Sequence, residues 1–146
     1  MTNYSSYKVA QSNGNFTAAI WNGFFSAVGE YYSEIAQSYS FATAMGLTVD
    51  VKVNFSNGDT LSASEWNTTM DVLHTALQAI YDDADEADNT IQGKINAISA
   101  LKGKASGATI SNQVWNDLVQ NVQDILTYVV STQSWKFGQA MPIVLS

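Results

Sequence analysis

The sequence predicts a mainly α protein: three capped helices, the middle one long and coiled-coil-like, together with one small β-hairpin. Three observations carry that expectation. One helix-entry pattern is written three times, and the apolar residues behind each copy share one spacing. Between the first two copies the apolar period changes from helical to alternating.

The copies are Phe16-Thr17-Ala18-Ala19-Ile20-Trp21-Asn22, Leu61-Ser62-Ala63-Ser64-Glu65-Trp66-Asn67 and Ile110-Ser111-Asn112-Gln113-Val114-Trp115-Asn116. Each reads as a helix start. Thr17, Ser62 and Ser111 stand at the N-cap, where a hydroxyl accepts a hydrogen bond from an orphan backbone N–H. The apolar residue before each cap and the Trp after it occupy the two positions of a hydrophobic staple. Ser62 with Glu65 completes a capping box that the other two copies lack. Trp21, Trp66 and Trp115 are therefore expected in the core. Asn22, Asn67 and Asn116 recur although Asn is a mediocre helix former. Their amides are expected to bond the backbone of the preceding loop or of an adjacent chain.

Counting 4, 7, 11 and 14 residues beyond each Trp gives three stripes. They are Phe25, Val28, Tyr32 and Ile35; Met70, Leu73, Leu77 and Ile80; and Val119, Val122, Leu126 and Val129. All are apolar or aromatic, at the four-three alternation of a helix seam.

Taken in order, residues 1–15 form a polar leader, loose or laid against a neighbour. Helix 1 occupies 16–46, running to about Ala44 with Tyr39 and Ala42 on its stripe and Gly46 as its stop. Residues 47–61 read as the hairpin. Leu47, Val49, Val51, Val53 and Phe55 alternate with polar residues, Asn57-Gly58 supplies a turn, and Asp59-Thr60-Leu61 returns. Helix 2 spans 62–102. Its seam continues through Ile91 and Ile98 with only Lys94 polar, and Ile95 stands beside that lysine. Unbroken, it would be roughly 60 Å long at 1.5 Å per residue, with Gly93 its weakest point. One chain of this length leaves such a seam partly bare, so Met70, Leu73, Leu77, Ile80, Ile91 and Ile98 are expected to meet other copies in a homo-oligomer, a trimer by preference. Residues 103–110 form a glycine-containing loop and 111–133 form helix 3, widened by Leu118 and Ile125. The apolar tail, 134–146, is expected to dock as an extended segment.

Bulk properties exclude several functions. The 146 residues suit a single domain. Six Lys and Arg against 13 Asp and Glu give a formal net charge of −7, which disfavours a nucleic-acid surface. With no Cys and a single His, thiolate chemistry, disulfides and His-rich metal sites drop out. No stretch has signal-peptide or membrane-spanning length, so the chain is expected to be soluble and not exported by that route.

Candidate chemistry is sparse. Asp82, Asp83, Asp85, Glu86 and Asp88 form the one dense acidic group, but counting from Asp83 places Asp88 and Lys94 where a calcium loop needs Gly and Glu. A solvated helix face is the expectation, rather than a metal site or a glycosidase carboxylate pair. His74 lies beside the seam with no nucleophile spacing around it. No catalytic residue, cofactor site or metal site is assigned.

The Ser/Thr-x-x-x-Trp-Asn entry, with lead-ins such as Gly58-Asp59-Thr60-Leu61-Ser62 and Gly107-Ala108-Thr109-Ile110-Ser111, resembles stretches in small bacteriophage virion proteins of the tail-fibre, head-fibre or baseplate-attached type. The likeness covers the three caps and the turns before them, under half of the chain. The first copy departs from it, having Asn15-Phe16 where the others have Thr followed by Leu or Ile. What the resemblance implies is a structural, non-enzymatic subunit located in a virion, commonly trimeric, whose partners are other virion proteins. A rival reading is a small secreted helical effector or adaptor of the Trp-x-Gly type, on the tripeptide Trp21-Asn22-Gly23. In that family the motif lies in the turn of a helical hairpin.

Overall fold

The computed structural model describes residues 3–10, 14–37, 51–83 and 86–132. Among them the protein is helical, with no strand. A 3-10 turn at Ser5–Tyr7 precedes α1 (Ala18–Gln37), α2 (Ala63–Asp82), α3 (Asn89–Ser99) and α4 (Asn112–Thr132).

The three entry patterns start α1, α2 and α4 as their chemistry dictates. Thr17 Oγ1 accepts from the Ile20 N–H at 3.2 Å, Ser62 Oγ from Glu65 at 3.0 Å and Ser111 Oγ from Val114 at 3.1 Å. Glu65 closes the capping box by accepting from the Ser62 N–H at 2.9 Å. The seams behind them form one core. Phe25, Val28 and Tyr32 of α1, Met70, Leu73, Leu77 and Ile80 of α2, and Val119, Val122, Leu126 and Val129 of α4 are all buried.

The expected long helix 2 is two helices. It stops at Asp82, with Asp83 as its C-cap, and resumes at Asn89. The interruption falls at the acidic run and not at Gly93, which sits inside α3 with open space where a Cβ would go. Packing the run into one helix would stack like charges three and four residues apart. Ending the helix instead frees Asp88 to cap α3, its Oδ1 accepting from the Thr90 and Ile91 N–H groups. Two tyrosines hold the connection. Tyr81 Oη accepts from the Asp88 N–H at 2.7 Å and donates to the Asp88 carbonyl, while Tyr128 Oη donates to that of Glu86. Asp82, Asp83, Glu86 and Asp88 therefore mark a helix junction rather than a solvated helix face.

α3 then runs back along α2 and packs against α4 as well. Gln78 and Gln92 exchange side-chain hydrogen bonds across the α2–α3 pair, and Lys94 bridges to Asp124 of α4 at 3.1 Å. Ile91, Ile95 and Ile98 are buried, so Ile95 does replace Lys94 in the stripe. The seam expected to need other chains, Met70, Leu73, Leu77, Ile80, Ile91 and Ile98, is covered within this one.

No β-hairpin forms among the described residues. Burial does alternate over 51–55, with Val51 buried and Lys52 and Asn54 exposed. The backbone there finds side-chain partners instead of a second strand. A turn does follow, Asp59 N–H donating to the Ser56 carbonyl at 3.0 Å with Gly58 at φ 91°. The described part of the N-terminal leader is packed on the chain's own core. It lies along α4, where Gln123 accepts from the Tyr4 N–H at 2.7 Å and Lys8 donates to Gln120. The continuation of helix 1 to Ala44, the first half of the hairpin segment and the apolar tail lie outside the described residues.

Candidate functional site

Each Trp-Asn pair grips a stretch of extended backbone, and the three grips follow one scheme. The Trp21 indole N–H donates to the Lys52 carbonyl at 2.8 Å. Beside it, Asn22 donates to the Phe55 carbonyl at 2.8 Å and accepts from the Phe55 N–H at 3.1 Å. Trp66 donates to the Leu101 carbonyl at 2.9 Å, and Asn67 exchanges bonds of 2.9 and 2.8 Å with Lys104. Trp115 donates to the Tyr7 carbonyl at 2.8 Å, and Asn116 exchanges bonds of 2.6 and 2.7 Å with Val9. An amide presents a donor and an acceptor side by side, so it satisfies one residue's N–H and C=O as a neighbouring strand would.

The segment held is the lead-in to another repeat. α1 grips the approach to α2, α2 grips the approach to α4, and α4 grips the approach to α1. The register is shared: the carbonyl taken by Trp lies fourteen residues before the Trp that its own segment leads to, Tyr7 before Trp21, Lys52 before Trp66 and Leu101 before Trp115. Three repeats thus close a cycle inside one chain. Asn was expected to bond the loop before its own helix or an adjacent chain; it bonds the lead-in of the next repeat.

The indoles meet at the centre of that cycle. Trp21 lies 6.0 Å from Trp115 and 6.1 Å from Trp66, centroid to centroid. Phe25 and Phe24 pack against them, and Phe16 leans on Trp115 at 4.6 Å. Trp21, Trp66 and Trp115 are all buried. Gly23 sits inside α1, where a Cβ would come within 2.8 Å of the Tyr7 ring, so the glycine of the Trp-x-Gly tripeptide serves helix packing and not a turn.

No protein-family model matches the chain, and neither a curated protein nor a solved structure is similar to it. The site must be read from its own geometry.

At two of the helix starts a recess opens between the helix and the lead-in that it grips. At the first, Phe16, Thr17, Ala18 and Trp21 face Phe55 through Asp59 and Leu61 across a groove of about 310 Å³. At the second, the matching residues Leu61, Ser62, Ala63 and Trp66 face Lys104, Ala105, Gly107, Ala108 and Ile110, and the space is about 80 Å³. At the third, the position of Ala18 and Ala63 is taken by Asn112, whose amide donates to the carbonyls of Ala10 and Gly14 at 3.2 and 3.1 Å. The lead-in turns match too. Ala108 donates to Ala105 as Asp59 does to Ser56, with Gly107 at φ 87° in the place of Gly58.

Titratable groups elsewhere serve the fold. The Ser62 N–H and hydroxyl hold the Glu65 carboxyl below its ordinary range. Burial, then the nearby Lys102 ammonium, push the His74 imidazole down; Lys102 Nζ lies 3.1 Å from His74 Nδ1 and 3.1 Å from Asp71. Burial raises the phenols of Tyr4, Tyr31 and Tyr32. Among the described residues no group of three or more His, Asp or Glu side chains is placed to hold a metal, and no helix is long and apolar enough to cross a membrane.

Proposed function

We propose that this chain is a non-enzymatic structural subunit of a phage virion, a fibre, tail or capsid-attached component, held among other virion proteins. The observation that carries the reading is the closed cycle of Trp-Asn grips. All three repeats of the entry that resembles virion proteins direct their polar atoms to the chain's own backbone. Such a device fixes geometry and leaves those side chains no free group for chemistry. A homotrimer was expected from a bare seam and from the resemblance, and that seam is covered by the chain itself. We therefore propose that the subunit enters its assembly as the single-chain counterpart of a trimer, three repeats standing for three protomers.

Mass spectrometry of gradient-purified particles should find the protein at a fixed ratio to the major structural proteins, and light scattering of the isolated protein should give one chain. Absence from particles together with accumulation in the culture medium would favour the secreted-effector reading instead.

A further inference from the structure

We infer that the groove at the first Trp-Asn grip binds a saccharide ring. The three helix starts follow one plan, and of the two recesses beside them this one is the roomier. At the third, Asn112 spends its amide on the carbonyls of Ala10 and Gly14. The second is small, and its far wall presents Ala105 and Ala108. In the first, those wall positions carry Ser56 and Asp59, with Asn57 between them, and the Lys104 position is Phe55. The lining has thus gained hydrogen-bonding groups and an aromatic ring, while Ala18 stands where the third helix start has Asn112.

The chemistry of that lining selects the ligand class. Its volume lies at the lower end of small-molecule sites, which run from about 300 to 1,000 Å³. Phe16, 38% exposed, is the only exposed large hydrophobic among the described residues, and it stands at this groove with Trp21 and Phe55. Aromatic faces carry negative charge density and attract the slightly positive C–H face of a pyranose. Around them stand neutral and acidic groups. The Asn57 amide and the Ser56 hydroxyl have no partner among the described residues. Asp59 uses one carboxylate oxygen on the Ser56 N–H at 2.7 Å and keeps the other. An amide beside a carboxylate accepts from and donates to adjacent hydroxyls, which is what a sugar edge presents. No cation lines the groove among the described residues, so a phosphate or carboxylate ligand lacks a counter-charge. Lys52, whose ammonium lies 4.4 Å from the Phe55 ring centre, belongs to the adjoining recess beside Glu65.

Titrating the full-length, isotope-labelled protein with methyl glycosides of glucose, galactose, mannose and N-acetylglucosamine tests this. At least one should shift the Asn57 side-chain amide, the Gly58 N–H and the Trp21 indole together, with a Kd on the order of millimolar. Two variants borrow solutions that this chain already uses. Ala18→Asn copies the residue found at the third helix start, and Ser56→Ala with Asp59→Ala copies the two alanines of the second wall while keeping the Asn57 reporter. Both should abolish the shifts while the remaining spectrum stays that of the folded protein; should one fail to fold, the other decides. The inference is overturned if no glycoside moves these three signals, or if shifts persist unchanged in a folded variant. It is equally overturned if free indole, an apolar ring without hydroxyls, reproduces the response that the glycosides fail to give.

Discussion

Trp66 at the start of α2 donates its indole N–H to the carbonyl of Leu101, thirty-five residues later and just beyond the end of α3. One bond therefore closes the α2–α3 hairpin at its open end and fixes where the approach to α4 begins. Trp66→Phe keeps much of the burial and removes the donor, so it should cost about 0.5–1.5 kcal/mol, the net worth of one such bond. Trp66→Ala also empties part of the core and should cost about 3–5 kcal/mol. Urea denaturation resolves the two; equal losses would mean that the bond contributes nothing of its own.

The three Asn grips should differ in strength because they differ in burial. Asn116 is buried, whereas Asn67 is half-buried and its partner Lys104 is flanked by exposed residues. Asn116→Ala strands the N–H and C=O of Val9 away from solvent, and each stranded group costs about 1–3 kcal/mol. Asn67→Ala exposes Lys104 to water and should lose less. Asn116→Asp is the sharper probe: it still accepts from the Val9 N–H but turns a carboxylate toward the Val9 carbonyl. It should be at least as damaging as alanine at neutral pH, and thermal melts of the three variants would order them. A larger loss at Asn67 would contradict the burial argument.

What the sequence made legible is what local physics decides. A hydroxyl before an apolar run specifies an N-cap, and the four-three spacing specifies which face is buried; Thr17, Ser62, Ser111 and the described seam positions follow from those rules alone. Alternation likewise gave the correct faces of Val51, Lys52 and Asn54. It could not say what pairs with that backbone, because the partner is a side chain more than thirty residues away, Asn22. The acidic run hides its junction for a similar reason. Asp88 becomes a cap only once Tyr81 and Tyr128 hold the chain at the junction, and Tyr128 comes from another helix. The matching of two lead-ins is legible as well. Gly58 and Gly107 each stand eight residues before the next Trp, which aligns two lead-ins and their turns. The open groove is legible only by comparing the three helix starts once folded.

Caps give a local test of the junction. Asp88→Ala removes the acceptor for two N–H groups of α3 and should cost about 0.5–2 kcal/mol, whereas Asp83→Ala removes no N-cap and should cost less. Ser62→Ala should exceed Thr17→Ala, since it also releases Glu65 from its reciprocal bond. Glu65 titrates below its ordinary value, so its share of stability is present above that value and is lost as the pH falls through the lowered one. Glu65→Gln should flatten that acid limb in chemical denaturation measured across pH, and an unchanged limb would remove the capping box from the account.

His74 supplies a second pH dependence, at milder acidity. Lys102 is a donor only, so the imidazole nitrogen facing it at 3.1 Å accepts, and the ring is neutral. Protonation would set two cations against each other in a half-buried place, with Asp71, on the far side of the same lysine, offsetting part of the repulsion. The folded protein therefore holds the imidazole below its usual value of about 6.5, while the unfolded chain does not. As the pH falls through about 6.5 the unfolded state takes up the proton first, so stability declines and then levels off below the folded pKa. Lys102→Met removes the opposing cation and should raise the imidazole pKa, read directly from the ring proton shifts. Subtracting the unfolding profile of His74→Gln from that of the parent isolates the term. A difference that stays flat between pH 7 and the onset of carboxylate titration would show that Lys102 and His74 do not interact in solution.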